Sequence, residues 1–197
     1  MKFGYFCNTT NWTQKPYHQL LDETKEITEY CDKHKWNSIW FTEHHFNHEG
    51  MESCTNPLML GADAAARTKN IRIGQAANVL TFHNPIRLAE DIATLDQLSK
   101  GRVEVGVARG VYGREAINLN KEADLKDQAK NFRLFAETLE ILKKAWSEKF
   151  FNHDGEFYTY PSPNYVWQHI MLPYIDRRWI SIKFSIMIKK FFRPSFF

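Results

Sequence analysis

Apolar and polar positions alternate between two rhythms along the first 150 residues of this chain. Short apolar runs read as buried strands. They fall at residues 2–7, 38–42, 71–80 and 102–108. Between them the apolar positions recur every three or four residues, which is one face of a helix. Leu20, Leu21, Thr24, Ile27, Cys31 and His34 define a helix over 17–35. Asn56-Pro57 opens a second that runs to about Thr68, because Asn caps free amides and Pro suits the first helical position. Asn84-Pro85 repeats that signal for a third helix, which carries Ile86, Ala89, Ile92, Ala93 and Leu98 and stops at Gly101. A long fourth helix is expected over 122–149, with Leu125, Ala129, Phe132, Phe135, Ala136, Leu139, Leu142 and Trp146 inward.

Strict strand–helix alternation predicts an α/β fold with a parallel sheet. Two architectures compete. A doubly wound nucleotide fold carries a glycine-rich turn after its first strand, but residues 8–13 are Asn-Thr-Thr-Asn-Trp-Thr. The unusual residues follow strands two, three and four instead, which is the habit of a (β/α)8 TIM-type barrel. A full barrel takes about 250 residues. The expectation is therefore a truncated barrel of about four β/α units over residues 1–160.

Residues 161–197 break the pattern. They hold no Gly or Ala, and nine of the 37 are aromatic. Ile180, Ile182, Phe184, Ile186 and Ile188 alternate with polar or basic neighbours, as in a half-exposed strand. An inner barrel strand is buried on both faces, so this segment is not expected to be the fifth strand. It reads as an atypical aromatic and basic tail, either frameshifted or disordered. Six Lys/Arg and one acid fall there, which leaves 20 basic and 22 acidic groups on residues 1–160. The body is thus no nucleic-acid binder by charge. Three cysteines without metal spacing suit a reducing compartment. No signal peptide and no apolar run of membrane length is evident, so a cytoplasmic protein is expected.

The densest chemistry is Glu43-His44-His45-Phe46, where the second strand surfaces. Imidazole exchanges protons near neutral pH. Glu43, His44, His45 and His48 also crowd as metal ligands would. Adjacent strand residues point to opposite faces, however, and the spacing matches no standard site, so no metal is expected. Arg109, between Gly106 and Gly110, combines a forked cation with close backbone approach. A salt-bridged loop arginine is the plainer alternative.

Five motifs in order extend this picture. They are Trp40-Phe41-Thr42-Glu43-His44-His45-Phe46, Gly74-Gln75-Ala76-Ala77-Asn78-Val79-Leu80, His83-Asn84-Pro85 through Asp91, Leu95 through Arg102, and Gly106-Val107-Ala108-Arg109-Gly110. Gly155-Glu156-Phe157-Tyr158 is a weaker echo. Together they resemble the bacterial luciferase-like flavin-dependent monooxygenase family, in its luciferase alpha-subunit form, over the N-terminal half of that family's barrel.

The resemblance implies an oxidoreductase: reduced FMN, supplied by a separate flavin reductase, reacts with O2, and a small organic substrate such as an aldehyde is oxidised. It implies His44 as the acid/base residue, oriented by Glu43 and His45, and Arg109 on the FMN phosphate. Ala76 and Ala77 would lie behind the flavin ring, where the family can carry a cis peptide. The family's second phosphate arginine falls near Phe132 or Arg133. Ala108 replaces the cysteine of the luciferase alpha subunit, a departure that bears on light emission more than on flavin binding. Glu90 matches a position near the subunit interface, which implies a homo- or heterodimer. The competing reading is a non-catalytic flavin-binding or inactive half-barrel.

Overall fold

The computed structural model describes residues 1–163 and the strand Lys183–Ile186. The chain alternates as β1 (Gly4–Cys7), α1 (Tyr17–Lys33), β2 (Ser38–Phe41), α2 (Pro57–Arg67), β3 (Arg72–Val79), α3 (Pro85–Ser99) and β4 (Val103–Ala108). These strands pair in parallel and in chain order. A doubly wound sheet reverses its order at a switch point. A sheet that advances by one strand per unit, always in one direction, has barrel order.

The helix starts follow the capping logic of the sequence. Asn56 Oδ1 accepts from Met59 N at 2.9 Å, and Asn84 Oδ1 from Arg87 N at 3.1 Å. Each cap is followed by its proline at the first turn. The core lies between the sheet and its helices. Ile39, Phe41, Ile73, Val103 and Val105 meet Ala64, Leu88, Ile92 and Leu142 there with almost no solvent exposure. Arg102 closes the opposite end from the site: its guanidinium donates to Ala65 O, Thr68 O, Ile71 O and Ser99 O at 2.7–3.1 Å. One side chain thereby ties the ends of α2 and α3 together.

Three expectations need correction. The region read as one helix over 122–149 is α4 (Gly113–Leu119), a 3-10 turn at Lys121–Ala123, and α5 (Gln128–Ser147). The Asp127 side chain starts α5 by accepting from Lys130 N at 2.9 Å, so residues 122–127 never join it. The buried stripe of α5 is Asn131, Leu134, Thr138, Ile141, Leu142, Ala145 and Trp146, with Leu139. Phe132, Ala129 and Ala136 face out, Phe132 at 56% exposure. Apolarity misled here because the polar Asn131 is turned inward to donate to Ala123 O and Arg109 O. Leu98, expected inward on α3, is likewise exposed.

The third correction concerns the tail. Lys183–Ile186 forms β7, a fifth strand of the same sheet, parallel to β4 with Val105 opposite Phe184. The strand reading of its alternation is therefore right, and its exclusion from the sheet is not. The rest of the 161–197 tail, from residue 164, lies outside the described residues. Among the described residues, no helix is long and apolar enough to cross a membrane.

Two short strands, β5 (His153–Asp154) and β6 (Thr159–Tyr160), form a hairpin against α5. Its turn is the Gly155-Glu156-Phe157-Tyr158 motif. The Glu137 carboxylate of α5 accepts from the backbone N–H of Glu156, Phe157 and Tyr158 at 2.9–3.1 Å, and lies 3.1 Å from His153 Nε2. Charge-assisted bonds of this kind contribute about 1.5–3 kcal/mol each at most, and they are not additive. Glu137→Ala is expected to free the hairpin locally, at a cost of about 2 kcal/mol. Hydrogen exchange at the three amides should speed up while β2 and β3 amides stay protected. Unchanged exchange at residues 156–158 would refute this role.

Candidate functional site

The ends of β2, β3 and β4 share one rim of the sheet, and Glu43, His44, His45 and Arg109 lie along it. After β2 the chain leaves the sheet through Thr42 and Glu43, both almost fully buried. Glu43 Oε2 accepts from Val79 N at 2.6 Å, and Oε1 sits 2.7 Å from His83 Nε2 and 3.2 Å from His45 Nε2. One carboxylate therefore pins the exit of β2 to the end of β3. Burial on its own would raise the Glu43 carboxyl. The bonds from His45 and His83, the charge on His83 and the Val79 N–H outweigh it and hold the group below the usual carboxylate range.

His44 turns to a different set of partners. Its Nε2 is 3.4 Å from Glu52 Oε1 and its Nδ1 is 3.4 Å from Glu115 Oε1, with the side chain 15% exposed. Its backbone N–H donates to Cys54 O at 2.8 Å, and the neighbouring His45 N–H donates to Glu115 Oε1 at 2.7 Å. Glu115 thus fixes the backbone and flanks the ring at once. Tyr112 packs against the imidazole with ring centroids 5.6 Å apart. Burial, then the Glu52 and Glu115 carboxylates, push the Tyr112 hydroxyl above its ordinary value. The arrangement is an imidazole between two carboxylates, able to carry a proton on either ring nitrogen. Cys54 is no rival nucleophile: burial pushes its thiol up to about 12.

The peptide between Ala76 and Ala77 is cis, at the point where β3 slips register against β4. Ala76 is half-buried and Ala77 buried, so the two offer a small-residue shelf beside the His44 segment. Arg109 leaves β4 at the same rim. Thr81 Oγ1 and Asn131 Nδ2 donate to its carbonyl at 3.0 and 3.4 Å, and its guanidinium stands 5.7 Å over the Phe132 ring. Among the described residues no carboxylate lies within ion-pair distance of that guanidinium. Arg133, by contrast, is committed to Glu156 at 2.8 and 3.0 Å. Of the two positions considered for a second cation, then, one is an aromatic ring beneath Arg109 and the other is spent on the hairpin. Glu90 lies on α3, 3.6 Å from Arg87 within the same helix, and His48 is 82% exposed beside Glu49.

The sequence reading missed four members of this site. Glu52, Tyr112 and Glu115 lie in segments given no chemistry, and His83 was noted only as part of a motif. Glu115 is a buried acid in the first turn of a short helix that begins directly after the Arg109 loop.

A family model described as "Luciferase-like monooxygenase" matches residues 1–173. The oxygenase component of the flavin-dependent trigonelline monooxygenase of Acinetobacter baylyi is 30% identical over 88% of this chain and 47% of its own length. The alkanal monooxygenase beta chain of Photorhabdus laumondii is 34% identical over 82% of this chain and 48% of its own. In structure, the oxygenating constituent of 3,6-diketocamphane monooxygenase from Pseudomonas putida, solved with FMN, superimposes with a TM-score of 0.79. It covers 94% of this chain and 51% of that one at 24% identity. The chain spans about half the length of the curated relatives it matches. Barrel strand order, a carboxylate-flanked histidine at the end of β2 and a family match over most of its length agree: the chain belongs to the luciferase-like monooxygenase family.

Proposed function

We propose that this chain carries the flavin and oxygen side of a monooxygenase site, using reduced FMN delivered by a separate reductase and oxidising a small organic substrate such as an aldehyde. The observation that carries the reading is the gathering of a guanidinium without a carboxylate partner among the described residues, a small-residue shelf and a carboxylate-flanked histidine on one sheet rim.

The residues present fit FMN. Arg109 has no carboxylate partner among the described residues, and its planar fork matches a phosphate. Ala76, Ala77 and Ala108 leave room for a flat ring. Thr42 Oγ1 is buried without a partner among the described residues, an orphan that a heterocycle's polar edge would satisfy. When bound, reduced FMN supplies the electrons that activate O2. The protein's part is to hold the phosphate at Arg109, seat the ring on Ala76-Ala77, and move a proton at His44 Nε2 or Nδ1. Glu52 and Glu115 flank the ring at 3.4 Å on either side and keep it oriented. Dimerisation through the α3 face that carries Glu90, and a cytoplasmic setting, belong to the same proposal.

Anaerobic titration of the full chain with reduced FMN tests it. Arg109→Ala is expected to weaken binding roughly 10- to 100-fold, the loss of one charge-assisted contact. Equal affinity in the variant, or no binding by the unmodified chain, would overturn the proposal.

A further inference from the structure

The inner face of the sheet carries a feature that the rim chemistry does not use. Ile39, Phe41, Ile73 and Val105 point into the core beneath the helices. Alternation along each strand therefore turns Phe6, Trp40, Gly74 and Glu104 to the concave side. These four stand in one row, with Phe6 opposite Trp40, Trp40 opposite Gly74 and Gly74 opposite Glu104. Trp40 fills most of that row. A Cβ at Gly74 would fall 2.2 Å from Cε3 of the indole, and one at Gly4 would fall 3.3 Å from its Nε1. The ring thus lies flat across β1, β2 and β3, and it does so because both neighbours lack a side chain. Its N–H donates to Ser38 Oγ at 2.9 Å, which fixes the rotation. The Arg72–Glu104 ion pair closes the same end of the sheet with charge.

We infer that Trp40 is the floor of the substrate chamber and a specificity-determining residue, limiting the substrate to a short or flat apolar molecule. The inference rests on the rim being the reaction site. Thr42 and Ala76 lie two residues beyond the Trp40–Gly74 row, about 6.6 Å of strand rise. A chain entering from the rim meets the indole after that one layer. Below it, among the described residues, lie a hydrogen-bonded serine and an ion pair, neither of which welcomes a hydrocarbon. A flat ring can stack on the indole, and a short alkyl chain can end on it. A long extended chain cannot pass.

The test is calorimetric titration of the full chain, with and without FMN, using primary n-alcohols of graded length. In the unmodified chain the affinity is expected to climb about fourfold per carbon and to stop climbing near roughly five carbons. In Trp40→Ala the climb should continue for several more carbons. Trp40→Leu serves for the same measurement if the alanine variant fails to fold. Three results would overturn the inference: a break at the same length in the variant, a climb in the unmodified chain that never breaks, or no alcohol binding at all. Failure of the flavin reading is seen separately, as no FMN binding with the alcohol break intact.

Discussion

Glu43→Ala is expected to destabilise the fold by about 3 kcal/mol, the largest loss of any single rim substitution. The carboxylate is 2% exposed and serves the Val79 N–H, His83 and His45. Its removal leaves a buried amide without an acceptor and an imidazolium without its counter-charge. His83 is itself 35% exposed, so solvent screens part of that charge loss and the estimate stays at the lower end for a broken pair. Glu43→Gln, which keeps an acceptor, should cost less.

The same pair sets a pH dependence whose sign follows from the two shifts. Glu43 is held below its ordinary 4.5. A depressed carboxyl adds stability above its unfolded value, and that stability is lost as pH falls through the folded one. For His83, burial alone would lower the imidazole, but the Glu43 hydrogen bond and charge outweigh it and raise the group above 6.5. A raised imidazole contributes fully below its unfolded value and loses that contribution as pH rises through the folded one. Both contributions are present between 4.5 and 6.5. Urea unfolding at about pH 5.5 and about pH 8.5 should show the chain weaker at the higher pH. His83→Gln should show a smaller difference. Identical pH profiles for the two proteins would mean that the Glu43–His83 pair is not coupled to folding.

How far the sequence revealed all this depended on whether a signal was local. Asn56-Pro57 and Asn84-Pro85 each contain their own cap and first turn, so the starts of α2 and α3 were legible to the residue. Barrel order was legible because nothing glycine-rich followed β1. The long helix was not, because its start depends on Asp127 and on Asn131 reaching Ala123 and Arg109, contacts that periodicity does not encode. In the candidate site, His44, Ala76-Ala77 and Arg109 were singled out through motifs on and just after the strands. Glu115 was not, because it lies 70 residues from the His45 amide it fixes. The tail's strand was legible by alternation, while its partner was not: pairing beside β4 is decided by an open sheet edge, not by the segment's own pattern.

His44→Ala is expected to lower turnover about 10²- to 10⁴-fold, the range for losing a positioned acid/base, with FMN affinity changed by less than about twofold. The asymmetry follows from the geometry. On the proposed reading the flavin is held by Arg109 and the Ala76-Ala77 shelf, whereas the His44 ring faces Glu52 and Glu115. What alanine removes is the only imidazole of the segment placed between two carboxylates. His45 cannot substitute, because its Nε2 is turned to Glu43. The measurement is substrate-dependent oxygen consumption under reduced FMN, alongside flavin titration of the same variant. His48→Ala, at a site 82% exposed and remote from these contacts, is the control and should leave turnover unchanged. If His44→Ala matched His48→Ala in rate, the proton role would fall, and the carboxylates around residue 44 would be structural supports of the β2 exit. A parallel loss of flavin binding and turnover would instead make His44 part of the flavin seat.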